Sequence, residues 1–275
     1  MSSILTNNGA MVALQTLKGI NSNLSKTQSE ISTGKTIGTA KDNAAIWAIA
    51  KGMETEVGGL KSVSTSLSVG AQSIAVAGEA SETVTDLLKE VQKIVIQAQD
   101  GNIDKATLQK DIGVYRDQIA SVVASSQFNG ANLVNGSATS YNVLASMKGD
   151  TTDATLPGKI AVTLTDLSEA GALADLATLD VSTDAAAALE SINTMIASAT
   201  TASQQYGSAA KRVEIQSNFI SKLSDAMTSG VGALVDTNME EASARLQALQ
   251  TQQQLGIQAL SIANQAPQSI LSLFR

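Results

Sequence analysis

The sequence predicts a mainly α protein: a long antiparallel helical coiled-coil bundle with a small β or irregular insertion in its middle. Three observations predict it. Apolar residues recur at alternating steps of three and four along most of the chain, the seam spacing of packed helices. Only two prolines, Pro157 and Pro267, interrupt 275 residues, so the strongest helix breaker is absent before Pro157. The hydrophobic fraction is 43% but the aromatic fraction only 3%, and Ala, Val, Ile and Leu without large rings fill thin seams rather than a deep core.

The first helix carries Leu14, Leu17, Asn21, Leu24, Gln28 and Ile31 in heptad steps. It stops at Ser32-Thr33-Gly34-Lys35, where Gly34 suits a left-handed C-terminal cap. Thr39-Ala40-Lys41-Asp42 has the form of a capping box opening a second helix. That helix continues the rhythm through Ile46, Ala50, Met53, Val57, Leu60, Ser64, Leu67, Ala71 and Ile74. After a phase slip it resumes as Ala77, Ala80, Val84, Leu87, Val91, Ile94 and Ala98. A helix from Asp42 to Gln99 would be roughly 85 Å long, against a radius of gyration of about 19 Å for a compact globule of this size. The expected object is a rod.

Asp100-Gly101-Asn102 breaks the second helix, and a third follows with Leu108, Ile112, Tyr115, Ile119 and Val122 on one face. It ends near Phe128-Asn129-Gly130. From Ala131 to about Asp180 the chain is rich in Gly, Ser, Thr, Asn and Asp. Two strands are expected there, Tyr141–Met147 and Lys159–Leu164, with a turn at Leu156-Pro157-Gly158. Helix returns near Asp184, with a seam of Leu189, Ile192, Ile196, Ala199, Ser203, Tyr206, Ala210, Val213, Ser217, Ile220, Ser224 and Met227. Gly230-Val231-Gly232 reads as a weak point, and a last heptad runs through Ala242, Leu246, Leu249, Gln253, Gly256, Leu260 and Ala263. The halves fold back on each other in this reading. Three domains follow: residues 1–40 with 235–275 as a coiled coil, 41–130 with 184–234 as a helical rod, and 131–183 as a solvent-facing insertion.

Composition narrows function. The chain has no Cys and no His, which removes disulfides, thiolate sites, the commonest general base and the commonest metal ligand. No enzymatic activity, metal or cofactor is expected. A net charge of −7 gives no positive field for nucleic acid, and no apolar run reaches the ~20 residues of a membrane span. The first residues lack the charged-then-apolar build of a cleaved signal peptide. The seams of the first and last helices, Leu14/Leu17/Leu24 and Leu246/Leu249/Leu260, are diluted by Ala, Gly, Asn and Gln. Such helices gain from packing on other copies, and contacts that do not close build helical filaments.

The chain ends Ala263-Asn264-Gln265-Ala266-Pro267-Gln268-Ser269-Ile270-Leu271-Ser272-Leu273-Phe274-Arg275. Its first half carries Ile31-Ser32-Thr33-Gly34-Lys35, Ala40-Lys41-Asp42-Asn43-Ala44-Ala45 and Ala48-Ile49-Ala50. With Phe128-Asn129-Gly130, these resemble the two conserved ends of bacterial flagellins, over about residues 1–136 and 184–275. The resemblance implies a minimal flagellin of alphaproteobacterial type, a structural subunit exported unfolded through the flagellar type III channel. Polymerised beneath a cap, it forms the extracellular flagellar filament used for swimming. Implied partners are further copies of the chain, an export chaperone, the filament cap and hook-junction proteins. Neither nucleic acid nor membrane insertion is implied. Alternatives are a hook–filament junction protein and a secreted coiled-coil effector.

The resemblance also implies sites. Inner-layer assembly contacts fall on Leu14, Leu17, Leu24, Ile31, Leu246, Leu249, Leu260, Ile270, Leu271, Leu273 and Phe274. The stretch recognised by the animal innate receptor corresponds to Leu88–Ile94, where Glu90 and Gln92 replace two arginines beside Ile94, so weak activation is expected. Thr139, Ser140, Thr151, Thr152, Thr163 and Thr165 are candidates for O-glycosylation. Leu5 stands where the family has a polar residue near its N-terminus.

Overall fold

The computed structural model describes residues 7–100, 103–147 and 158–273, with residues 266–273 described by backbone alone. Among these, the elements are α1 (Asn8–Thr33), α2 (Ala44–Gln97), α3 (Lys105–Ser125), β1 (Gln127–Phe128), β2 (Ala131–Asn132), β3 (Tyr141–Leu144), β4 (Lys159–Val162), α4 (Ala174–Thr178), α5 (Ala185–Val235) and α6 (Met239–Leu273). The fold is mainly helical with a small antiparallel β insertion, as the sequence predicts. The chain divides into two compact units, Met1–Glu56 with Ala226–Arg275, and Val57–Asp225.

In the first unit Gly34 ends α1 in the left-handed conformation, at φ 70°, the cap expected of it. Thr39 to Asp42 departs from expectation by forming a separate turn before α2. Asp42 Oδ2 accepts from the Thr39 backbone N–H at 2.9 Å and from its hydroxyl at 3.0 Å. These bonds hold the Asp42 carboxyl below its usual range, the backbone N–H contributing most. The Thr39 hydroxyl is thereby committed to Asp42 and caps no helix N–H. Asn43 caps instead, its Oδ1 accepting from Ala45 and Ile46 at 3.2 Å each.

Gly230-Val231-Gly232 does not interrupt α5, which runs unbroken to Val235. A Cβ at Gly230 would lie 3.1 Å from the Met53 methyl, and one at Gly232 would lie 2.6 Å from Asp236 Oδ2. Gly230 thus serves close approach to Met53, which offsets its poor helix propensity. Ala50, Val231 and Val235 form a buried cluster with Ile37 and Met53 against it. The linker after α1 then pairs with the linker after α5. Lys35 and Asp236 make an antiparallel bridge, the Thr36 N–H donates to the Val235 carbonyl at 2.8 Å, and the Thr237 N–H donates to the Gly34 carbonyl at 2.9 Å. Asn238 caps α6 through the N–H groups of Glu240 and Glu241.

In the second unit Leu67, Ile74 and Leu88 of α2, Ile112 and Ile119 of α3, and Ile192, Met195 and Tyr206 of α5 are fully buried. The heptad is regular, but its phase differs from the sequence reading. On α5 the shared column Ile192, Ala199, Tyr206, Val213 and Ile220 is buried as expected. The second column is Ala188, Met195, Ala202 and Ala209, each one residue before the expected Leu189, Ile196, Ser203 and Ala210. On α2 the slip lies at Val57–Leu60–Val63, after which Leu67, Gly70, Ile74, Ala77, Ser81, Val84, Leu88, Val91, Val95 and Ala98 keep one heptad. At Ala188 the seam takes a residue smaller than its neighbour Leu189, which lets the helices approach closely.

Phe128-Asn129-Gly130 belongs to a two-residue hairpin between β1 and β2, beyond the end of α3. Asn129 (φ 50°) and Gly130 (φ 78°) both take the left-handed region that such a turn requires. Asn132 then turns inward, donating from Nδ2 to the Val123 carbonyl at 2.7 Å and accepting the Val134 N–H at 2.9 Å. It satisfies an orphan carbonyl at the end of α3. β3 and β4 pair antiparallel with Tyr141 opposite Val162 and Leu144 opposite Lys159, shorter than the expected strands. Leu156 and Pro157 of the expected turn lie outside the described residues. β3 rests on α2: a Cβ at Gly70 would come within 2.5 Å of a Val143 methyl, and the Tyr141 hydroxyl donates to Ser73 Oγ at 2.9 Å.

Candidate functional site

The first unit presents the two helices whose seams the sequence marks for assembly. Asn7 caps α1, its Oδ1 accepting the Ala10 N–H at 3.0 Å while its Nδ2 donates to the Ala263 carbonyl at 2.7 Å. The amide thus ties the start of α1 to α6. Further along, Gln253 Nε2 donates to Asn21 Oδ1 at 2.7 Å. A Cβ at Gly256 would lie 3.0 Å from a Leu17 methyl. The two helices pack antiparallel.

On α6 every expected seam position, Ala242, Leu246, Leu249, Gln253, Gly256, Leu260 and Ala263, is buried or half-buried. On α1 the column Leu17, Leu24 and Ile31 faces the seam as expected. The other column is Ala13, Ile20 and Thr27, one residue before the expected Leu14, Asn21 and Gln28, which are exposed. Ala13 and Thr27 are the smaller choices, as on α5. Leu14 is therefore 55% exposed, and it shares the uncovered surface of α1 with Met11 and Val12. On α6, Leu255, Ile257 and Ile262 are likewise exposed, Ile262 at 70%. The side chains of Ile270, Leu271 and Leu273, and all of Phe274, lie outside the described residues. So does Leu5.

In the second unit Leu88 and Val91 are fully buried, whereas Glu90, Gln92 and Ile94 between and beyond them are half-buried. Glu90 accepts from Lys93 Nζ at 2.7 Å. Gln92 Nε2 donates to Asn193 Oδ1 at 2.5 Å, joining α2 to α5. Thr139, Ser140 and Thr163 are exposed. Thr165 is half-buried and its hydroxyl donates to Gln205 Oε1 at 2.9 Å. Thr151 and Thr152 lie outside the described residues.

Sequence reading missed a set of polar clamps that fix the loops of this unit. Tyr206, fully buried, donates its hydroxyl to the Leu133 carbonyl at 2.6 Å and accepts the Thr165 N–H at 3.3 Å. Burial raises its phenol above the ordinary 10.0. Gln109 Nε2 donates to the Leu179 carbonyl and its Oε1 accepts the Val181 N–H. Gln216 Nε2 donates to the Ala145 carbonyl at 2.6 Å. A glutamine within a helix gives no sign in sequence of which loop it will hold. Among the described residues, no group of three or more acidic side chains could hold a metal ion, and no helix is long and apolar enough to cross a membrane.

Residues 4–139 match the bacterial flagellin N-terminal helical region, and residues 189–274 match the bacterial flagellin C-terminal helical region. The chain belongs to the bacterial flagellin family. This flagellin is 41% identical over 280 residues to flagellin FljM of Caulobacter vibrioides, covering 100% of this chain and 99% of that protein. It is 38% identical over 282 residues to a flagellin of Brucella melitensis, covering 100% of both. The crystal structure of Bacillus cereus flagellin is similar over 55% of this chain and 86% of that one, at 17% identity and a TM-score of 0.46. Membership makes this flagellin a structural subunit of a motility filament, with a self-assembling rather than a catalytic role, working outside the cell.

Proposed function

We propose that α1 and α6 form the inner coiled-coil layer of the extracellular flagellar filament, with residues 1–40 and 235–275 as its coiled-coil domain. Residues 41–130 with 184–234 form the helical rod, and 131–183 the solvent-facing insertion. The observation that carries this reading is the division of apolar residues in the first unit. Leu17, Leu24, Ile31, Leu246, Leu249 and Leu260 serve the seam of the pair, while Leu14, Met11, Val12, Leu255, Ile257 and Ile262 remain uncovered. A pair with apolar side chains on both sides gains by stacking on other copies. Ile270, Leu271, Leu273 and Phe274 extend the same apolar character to the end of the chain. The subunit is exported unfolded by the type III route and meets an export chaperone, the filament cap and hook-junction proteins.

Seeded polymerisation of purified subunits, with and without Gln265 to Arg275, tests the reading. The shortened chain is expected to lose elongation. Normal elongation would remove the inner-layer assignment. In the same reading the chain activates the animal innate receptor weakly, because Glu90 reverses one charge and Gln92 removes another. A reporter-cell response equal to that of an enteric flagellin would refute this. Thr139, Ser140 and Thr163 are exposed and offer their hydroxyls for O-glycosylation, whereas Thr165 has its hydroxyl engaged with Gln205. An unmodified intact mass of native filaments would exclude the modification.

A further inference from the structure

The outer surface of α5 in the second unit carries an apolar pair that stays exposed among the described residues. Ile215 is 59% and Phe219 55% exposed, and their i,i+4 spacing sets them side by side on one helix face. Phe219 is one of only three phenylalanines in the sequence. An exposed phenylalanine beside an exposed isoleucine is the composition of an interface core rather than of a solvated surface. Arg212 precedes the pair by three residues and Lys222 follows it by three, so the stripe is basic at both ends. Neither cation forms an ion pair among the described residues.

A complementary stripe lies on α2 of the same unit. Val69 is exposed, and Gln72 and Ala75 continue its face. Glu79 and Glu82 follow at helical spacing, exposed and without ion pairs among the described residues. This stripe is uncharged from Val69 to Ala75 and acidic at Glu79 and Glu82. Its acidic end is opposite in sign to the Arg212 end of the α5 stripe, and its uncharged end leaves room for the apolar pair. One helix face cannot meet the other within a single copy, because α2 and α5 already pack through other faces: a Cβ at Gly78 would lie 3.8 Å from the Cβ of the buried Tyr206.

We propose that the α5 stripe of one subunit, centred on Ile215 and Phe219, docks on the α2 stripe of a neighbouring copy, with Arg212 directed to the Glu79–Glu82 acids. The occupant is a second copy of this chain because the chain is a filament subunit and the same molecule carries both halves of the match. The apolar pair supplies the affinity, and the charges set which faces meet and in which sense. The proposal rests on filament assembly but does not depend on the inner-layer assignment of α1 and α6.

The absence of cysteine in the sequence allows a direct test. Ile215→Cys subunits are mixed with subunits carrying Val69→Cys, Gln72→Cys, Ala75→Cys or Glu79→Cys, polymerised, and oxidised. Covalent dimers joining one subunit of each kind are expected for at least one pairing, and are expected to vanish when filaments are dissociated before oxidation. Filaments that form but give none of the four mixed dimers would overturn the proposal, as would dimers of Ile215→Cys with itself alone. Absence of filaments from the unsubstituted chain would instead count against assembly itself. Independently, Phe219→Ser is expected to raise the critical concentration for elongation at least about fivefold, with the urea midpoint of the monomer unchanged. A lowered monomer midpoint would mean that the chain's own segments cover Phe219, and would equally overturn the proposal.

Discussion

Replacing Tyr206 with Phe keeps the ring that fills the second unit and removes only its hydroxyl. Two partners lose by this. The Leu133 carbonyl, in a residue only 3% exposed, loses its donor at 2.6 Å, and the Thr165 N–H loses a longer acceptor at 3.3 Å. A buried acceptor left without a donor costs about 1–3 kcal/mol, whereas the ring's own burial is unchanged. The expected loss is about 2 kcal/mol. At a urea dependence of about 2 kcal/mol per molar, the midpoint of monomer unfolding should fall by about 1 M with the slope unaltered. Far-UV circular dichroism of dilute monomer reads this directly. Tyr141→Phe is the control: its hydroxyl bonds Ser73, which is buried but keeps a partner of its own by donating to the Val69 carbonyl, so the loss should stay below about 1 kcal/mol. If the two variants unfold together, the clamp formed by Tyr206 does not hold the loop, and the reasoning fails.

Glycines of α2 should respond with opposite sign. Gly70→Ala forces a Cβ to within 2.5 Å of a Val143 methyl and should cost about 1–3 kcal/mol through overpacking. Gly58→Ala meets nothing within 4 Å and should gain about 0.5–1 kcal/mol from helix propensity. Thermal melting separates them, and equal shifts would contradict the contact between β3 and α2. Asp180, before α5, has its carboxyl pulled from 3.8 down to about 2, first by the Thr183 hydroxyl and then by Ser182. Because the folded value is the lower one, its stabilising contribution is present above 3.8 and is lost as pH falls through about 2. Carbon NMR titration should place its midpoint near 2, and Thr183→Ala should return it towards 3.8. An unmoved midpoint would discount the Thr183 bond.

What could be read in advance follows a physical line. Heptad spacing located all the long helices, because a repeat held over many turns leaves little freedom. On α6 it also named each seam position, with Leu249 and Leu260 seated in the seam and Ala248 and Ala259, one residue before them, exposed. On α1 and α5 one column lies a residue earlier than expected, with Ala13 in place of Leu14 and Ala188 in place of Leu189. At those two positions close approach of two backbones outweighs the transfer energy of a larger side chain at a thin seam. That trade concerns two helices at once and leaves no mark in one. The clamps by Gln109, Asn132 and Gln216 were hidden for the same reason: each joins segments far apart in sequence. Asn129-Gly130 favours a hairpin turn strongly, but directly after a helical run it reads only as the end of that helix.

The pairing of the two linkers has a consequence in time. Thr36 donates its hydroxyl to the Asp236 carbonyl 200 residues away. Closing so long a loop from a flexible chain costs about 5 kcal/mol of entropy by itself, which offsets most of what the hydrogen bonds there return at about 1 kcal/mol each. The knot therefore tightens only after the intervening helices have folded and shortened the path. Local contacts come first and distant ones last. The molecule thus reaches its adhesive state late, when both ends of the polypeptide are present and the middle is already in order. A half-finished chain, which would otherwise offer bare α1 to every neighbour, has no partner helix to display it on.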